Sequence, residues 1–519
     1  MGAASSLGGC SLLSNDAKVK VVNQMAWEHS QLSREGLSDA AITARLIGRL
    51  TDLVSLYSTA SYVCPRRRFG RTELQMPVLT LGGMRQQQTW SPPADFTPED
   101  IKKEVQNNFE AIADRAIALG INHFETARGY GTSEIQYAPV IRKYPRESFI
   151  LQTKVCPQAD TAKFRELLEK SFEQLGLTKE GDYVDLFSFH GVNKPEHIYM
   201  VIRDGGNLSV IKEYQSAGKI RFIGFSTHGM VPTIVDAINT GIFDYCNIHL
   251  HWCGSYTATG TGLSGGNEDA LAAAKAQDMG VFIISPTDKG GALYEPPALL
   301  QKACAPISPI SWHNLLLLSD ERISTLVIGA ARPSDFDEHL DAVIKYDQRV
   351  ELSAPIMKIL EAKVTSSLGS DFFTTWYKSL PDAYQNPLGQ PVGYIYWLWW
   401  ISKFWGLQSF AQKRYASLEG NMKDWDDQKT EQENKTKFSW VPGLPFRPEQ
   451  EQQLRDVLAA QEGLSPARID HVMTAVKEAH HWLREGGIVA RGDVVDAALL
   501  KDWTISYNLQ PDKPFPERA

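Results

Sequence analysis

The sequence predicts an α/β fold: a parallel (β/α)8 TIM barrel carrying helical extensions at both ends. Three observations carry this. Eight short apolar segments recur, most of them about 25–45 residues apart, with amphipathic helical stretches between them. No G-x-G-x-x-G turn follows the first segment, as an open doubly wound dinucleotide-binding sheet would want. And 519 residues exceed one ordinary domain, leaving room for a barrel of about 250–300 residues plus smaller units.

Taken in order, residues 1–65 read as a short tail and a helical extension, with apolar residues at helical spacing over Val19–Leu32 and Asp39–Tyr57. Residues 66–350 read as the barrel. Phe69–Pro77 predicts a small hairpin, and Val78–Met84 a first buried strand ending in glycines. The next strands are expected at 121–126, 148–155, 183–190, 220–226, 243–249, 280–285 and 325–329. Between them, Val105 to Ile117 shows one apolar helical face closed by Gly120, and Phe164 to Leu175 another, with Asp160 as N-cap. Residues 351–519 form a helical C-terminal extension: a helix over Pro355–Leu368, an aromatic segment Pro391–Trp405, a charged loop over 420–437, and helices over 448–462 and 466–485. The aromatic segment suits either a membrane surface or a helix packed over the barrel. The second is favoured, because a lysine-bearing polar face is thin.

Composition sets the class. Apolar content of 43% against 22% charged is globular, and a net charge of −8 gives no general attraction for nucleic acid; Arg66-Arg67-Arg68 is local. Six cysteines without any C-x-x-C imply a reducing, cytoplasmic setting and no zinc ribbon or iron–sulfur motif. The opening Met1-Gly2-Ala-Ala-Ser-Ser6 fits the N-myristoylation pattern at Gly2, with Cys10 available for a second chain, and would give weak membrane association. The plainer reading is a small-residue terminus.

The chemistry lies at strand ends, which face a shared cleft in such a barrel. Glu125 and Tyr130 follow the second barrel strand, Lys154 ends the third and His190 the fourth. This set suits carbonyl reduction. A carbonyl receiving hydride gains charge on oxygen and needs a proton donor, Tyr130. Lys154 is expected to lower the phenol's pKa, Glu125 to hold Lys154, and His190 to orient the carbonyl. A second constellation, His249-Leu-His251-Trp-Cys253, places three metal-type residues on one strand face, but no fourth ligand follows, so no metal is expected.

Taken with these residues, Glu125-Thr-Ala-Arg-Gly-Tyr-Gly-Thr-Ser-Glu134, Gln152-Thr-Lys154, Val184 to His190, Ile223-Gly-Phe-Ser-Thr227, Ile284-Ser-Pro-Thr-Asp-Lys-Gly-Gly291 and Val327 to Pro333 resemble the aldo-keto reductase family over about residues 68–345. The extension and the Glu-Thr-Ala-Arg-Gly-Tyr-Gly version resemble a subgroup with a C-terminal helical extension. Some members of that subgroup carry cluster-binding cysteines there; this chain has none after Cys304. The resemblance implies NADP(H) bound across the barrel mouth and reduction of a small-molecule aldehyde or ketone by Tyr130, Lys154, His190 and Glu125. It further implies a carboxamide site at Ser226, Thr227 and Asn247, a pyrophosphate loop including Ser285, Lys289 and Gly290, and an adenosine-phosphate region at Gly329, Ala330 and Arg332. The sequence departs from the family in Glu125 for aspartate, His339 for asparagine and Asp335 for glutamine. A cofactor-binding regulatory or scaffold protein with weak or no turnover is the alternative on the same barrel. A zinc-dependent hydrolase using the 249–253 cluster is a weaker third.

Overall fold

The computed structural model describes Met25, Leu46 and residues 38–43, 64–254, 267–426, 428–438 and 441–484. The expected N-terminal extension lies mostly outside these residues, as do Gly2, Cys10 and Gly486-Gly487; Asp39–Thr43 is helical.

A two-stranded antiparallel ribbon, β1 (Arg66–Arg68) with β2 (Gln75–Pro77), precedes a closed parallel barrel. Its strands are β3 (Leu79–Gly82), β4 (His123–Glu125), β5 (Ile150–Val155), β6 (Val184–Phe189), β7 (Ile220–Ser226), β8 (Tyr245–Ile248), β9 (Gly280–Ile284) and β10 (Thr325–Ile328), with β10 pairing β3 to close the ring. All eight fall within the segments expected from the sequence. Apart from the start of β7, where Arg221 is exposed, they are buried runs rather than alternating ones, as strands covered on both faces are.

The ribbon's turn sits at 70–74 because Gly70 (φ +52°) and Glu73 (φ +60°) take left-handed conformations there, so its strands begin earlier than the hairpin expected over 69–77. It plugs the N-terminal end of the barrel. Phe69 packs on Phe282 and Tyr245 at ring separations of 4.8 and 5.5 Å. A Cβ on Gly280 would lie 2.2 Å from the Phe69 ring, so only glycine fits beneath it. The basic triplet is consumed here: Arg67 donates to the carbonyls of Leu318, Asp320 and Ile323, and Arg68 pairs with Glu73 and Asp278.

The helices Lys103–Ala118 and Thr161–Gln174 appear where the periodicity placed them. Gly120 (φ +75°) follows the first, and Asp160 caps the second by accepting from Ala162 N at 2.9 Å. Beyond the barrel the chain continues as helices Arg349–Leu368, Val392–Trp405, Gln408–Asn421, Glu451–Ala459 and Pro466–Leu483. The segment expected as loop over 420–437 contains a further short helix, Glu431–Lys435. The reciprocal bonds between Thr430 and Glu433 nucleate it, a local device that apolar periodicity does not report.

Helix Val392–Trp405 is buried nearly all round. One side meets the barrel, with Trp397 Nε1 donating to Cys253 O at 2.6 Å; the other meets helix Pro466–Leu483, with Trp399 Nε1 on Glu478 at 2.7 Å and Tyr396 OH against His471 at 2.9 Å. No face is left for a membrane surface, so that alternative gives way to the packed helix. Among the described residues no helix is long and apolar enough to cross a membrane.

Candidate active site

The site is built at the C-terminal ends of β4, β5 and β6. Glu125, the last residue of β4, is 2% exposed, and Lys154 near the end of β5 is 1% exposed. Parallel pairing sets the two strand ends side by side, and the Lys154 ammonium forms an ion pair with Glu125 Oε1. It also donates to Thr126 O at 2.7 Å. Glu125 thus reaches the lysine despite its extra methylene.

After Glu125 the chain makes a tight turn. Tyr130 N donates to Ala127 O at 3.0 Å, and Gly131 (φ +55°) passes so close to Thr89 O that a Cβ would lie 2.0 Å from it. This turn lays the Tyr130 ring over the ammonium, with Lys154 Nζ 4.6 Å from the ring centroid. His190 follows β6, its N–H donating to Val155 O at 2.8 Å, and its ring stands edge-on to Tyr130 at 5.4 Å and 90°. The four side chains picked out in the sequence are therefore brought together. Trp90, not singled out beforehand, stands edge-on to Tyr130 at 6.5 Å.

The electrostatics differ from expectation in one respect. Burial first, and then the negative charge of Glu125, push the Tyr130 phenol well above its usual value, where the sequence suggested that Lys154 would lower it. The ammonium is paired with Glu125, whose own negative charge opposes it at the phenol. Burial also lowers Lys154, against the pull of Glu125. His190 is pushed down to about 3 by burial and by Lys154, so its imidazole is neutral. Buried Glu134 is raised by burial and accepts from Thr153 Oγ1 at 2.5 Å.

Beneath these residues lies a polar layer that apolar strand patterns did not reveal. Gln152 Nε2 donates to Ser188 Oγ (3.0 Å) and Asn247 Oδ1 (3.3 Å), while Ser188 Oγ donates to Tyr245 OH (2.9 Å). Asn247 Nδ2 is buried without a hydrogen-bond partner. Such an orphan donor costs about 1–3 kcal/mol and fits an acceptor arriving from outside, as the expected carboxamide site requires. Ser226 lies on the neighbouring strand end, with Oγ accepting from Gly191 N at 3.2 Å. Thr227 behaves otherwise: its hydroxyl donates to Val192 O (2.7 Å) and accepts from Gly229 N (2.8 Å), which commits it to closing the loop.

The expected phosphate regions also lie around this mouth. Ser285 (φ +53°) turns the chain out of β9, Lys289 N donates back to Ser285 O at 3.0 Å, and a Cβ on Gly290 would lie 2.1 Å from Pro286 O. Lys289 is pushed down to about 7 by burial first and then by the charge of Arg414. After β10, Ala330 O accepts from Gln86 Nε2 at 2.6 Å, and Gly329 is overlaid by the Arg85 side chain. Arg332 pairs with Asp335 at 3.0 Å, and that carboxylate also accepts from the backbone N–H groups of Ala331 and Arg332. His339 meets the Asn314 side-chain amide at 2.7 Å.

The 249–253 cluster folds into an imidazole row: His228 Nδ1 meets His249 Nε2 at 2.7 Å, and His249 Nδ1 meets His251 Nε2 at 3.3 Å. Burial holds all three well below the usual imidazole value. Cys253 lends its backbone oxygen to Trp397, and among the described residues no three such side chains gather as a metal-holding group.

Residues 78–251 match the sequence profile of the aldo/keto reductase family. The chain is 28% identical over 126 residues to the NADH-specific methylglyoxal reductase of Escherichia coli (strain K12), a match spanning 20% of this chain and only 36% of that enzyme. It is 23% identical over 270 residues to the L-galactose dehydrogenase of Arabidopsis thaliana, spanning 47% of this chain and 80% of the relative. Among solved structures, an aldo-keto reductase from Bacillus halodurans in its holo form aligns at 18% identity and a TM-score of 0.43, over 57% of this chain and 96% of that one. An aldo-keto reductase from Klebsiella pneumoniae in complex with NADPH aligns at 18% identity and 0.41, over 56% and 96%.

Proposed function

The barrel of this chain belongs to the aldo/keto reductase family, and on that premise we propose that the protein is an NADP(H)-dependent oxidoreductase that reduces a small-molecule aldehyde or ketone. The observation that carries this is the meeting of Tyr130, Lys154, Glu125 and His190 at three neighbouring strand ends.

When bound, NADPH supplies the hydride. Asn247 and Ser226 would hold the carboxamide end of the cofactor, with Thr227 shaping the loop beside them. The turn Ser285–Gly291 and the region Gly329, Ala330 and Arg332 would receive its phosphates through backbone N–H groups and cations. The Tyr130 phenol, held high, is protonated at any physiological pH and donates its proton to the carbonyl oxygen as charge develops there. The ammonium 4.6 Å from its ring stabilises the tyrosinate left behind, and Glu125 keeps that ammonium in place. Neutral His190 presents an N–H to the same carbonyl oxygen and orients it.

Replacing Tyr130→Phe tests this directly. NADPH-linked reduction across a carbonyl panel is expected to fall about 10²–10⁴-fold with cofactor binding retained. Turnover unchanged in that variant would sink the assignment. Tight NADPH binding with no turnover by the native protein would favour the regulatory alternative.

A further inference from the structure

The C-terminal extension brings a cation to the barrel mouth. Helix Val392–Trp405 ends at Gly406 (φ +74°), and the chain turns into Leu407. Leu407 Cδ2 lies 3.3 Å from where a Cβ on Gly291 would stand, so the extension sits directly against the loop after β9. Trp252 joins the two: its Nε1 donates to Gly290 O at 2.6 Å while its ring packs on Trp405 at 4.6 Å. Leu407 is the N-cap of helix Gln408–Asn421, and Ala411 and Arg414 follow it at a spacing of four and seven residues, on the same side. That face carries buried Ala411 and then Arg414, whose guanidinium lies over the Phe410 ring at 4.9 Å. The charge of Arg414 is felt at His249, His251 and Lys289, all on loops at the C-terminal ends of β8 and β9.

A third cation reaches the same place from the other side. Arg85 leaves the end of β3 with its Cγ 3.0 Å from where a Cβ on Gly329 would stand, and its charge acts on Lys289 and Tyr294. Asp288, which accepts from Tyr294 OH at 2.9 Å, offsets part of the repulsion. Three cations from three remote parts of the chain, gathered at the end of a barrel, make a field suited to a compact polyanion.

We propose that Arg414, supplied by the C-terminal extension, is a ligand for the diphosphate of the dinucleotide, acting with Lys289 and Arg85 at the barrel mouth. This rests on the cofactor assignment above. It makes the extension part of the cofactor site rather than an appendage to it.

The test measures Kd on the full-length protein, for NADPH by its fluorescence and for inorganic pyrophosphate by calorimetry, with Tm recorded alongside. Arg414→Gln is expected to weaken both ligands about 10–100-fold, the worth of one charge-assisted phosphate contact. Arg414→Lys, which keeps the charge but not the fork, should recover part of each loss. Unchanged NADPH affinity in Arg414→Gln overturns the inference. So does a loss that follows a lowered Tm and is not recovered by lysine, since Arg414 would then serve packing alone. A native protein that binds pyrophosphate through Arg414 but not NADPH would sink the cofactor assignment and leave the anion site standing. One that binds NADPH without any help from Arg414 sinks this inference alone.

Discussion

Glu125→Gln isolates the buried ion pair on which the site is built. Both partners are essentially removed from water, at 2% and 1% exposure, so neither charge has solvent to fall back on. Removing one member of such a pair leaves the other uncompensated, at a cost of about 3–5 kcal/mol. Lys154 keeps its bond to Thr126 O and a weaker attraction to Glu134, which places the expected loss nearer the lower end. The pH dependence gives the signature. The folded-state pKa of Lys154 is already depressed by burial, and Glu125 opposes that shift. Without Glu125 it falls further, while the unfolded value stays at about 10.4. Between those values the unfolded chain binds more protons than the folded one, so stability rises with pH. The destabilisation of the variant relative to the native protein should therefore be largest near pH 7 and shrink toward pH 9.5. Urea denaturation of both proteins at the two pH values measures it. A loss below about 1 kcal/mol at pH 7, or one that does not change with pH, would refute the argument that an uncompensated ammonium is being buried.

Other expectations follow from the same geometry. Lys289, at about 7 in the free protein, faces Arg414, Arg85 and Asp288, with His228, His249 and His251 held neutral nearby. A diphosphate favours its charged form, so the Kd for NADPH should rise by up to about tenfold per pH unit above 7; a flat titration from pH 6 to 9 would contradict this. Asp335→Asn removes a carboxylate from Arg332 while keeping an acceptor for the backbone N–H groups. Because the pair is partly exposed, the gain for NADPH over NADH should be modest, up to about fivefold, read as the ratio of the two Kd values. His190, at about 3, should leave no inflection near the usual imidazole value in the pH profile of kcat/KM for reduction; an inflection at 6–7 assigned to it by His190→Gln would count against its neutral role.

Much of this was legible in the sequence because barrel geometry is repetitive. Glu125, Lys154 and His190 each end or follow an apolar run, and parallel pairing places such residues side by side without further information. What the sequence could not express were effects of burial and long-range packing. The rise of the Tyr130 pKa comes from burial first and then from the charge of Glu125, and the motif's spacing states neither how deeply the phenol is buried nor how close that carboxylate lies. Thr227 reads like its neighbour Ser226, yet its hydroxyl turns into the loop because Val192 O lies within reach. Helix Val392–Trp405 is apolar on every side, so its pattern names no direction of packing, and the place to which it delivers Arg414 emerges only from the fold. The polar layer under the site consists of single residues within otherwise apolar strands, too isolated to make a period.

The aromatic core behind β8 and β9 has a consequence for how this chain can be handled. That core mixes Trp252, Leu300, Trp312 and Leu315 from the barrel half with Leu360, Trp397, Trp405 and Val476 from the tail. A boundary at 350/351 falls just inside helix Arg349–Leu368, and severing the chain there would strip the indoles of Trp252 and Trp312 of their cover. The two halves are thus grafted rather than merely joined. They should melt in a single cooperative transition, and shortened versions ending near residue 350 should precipitate.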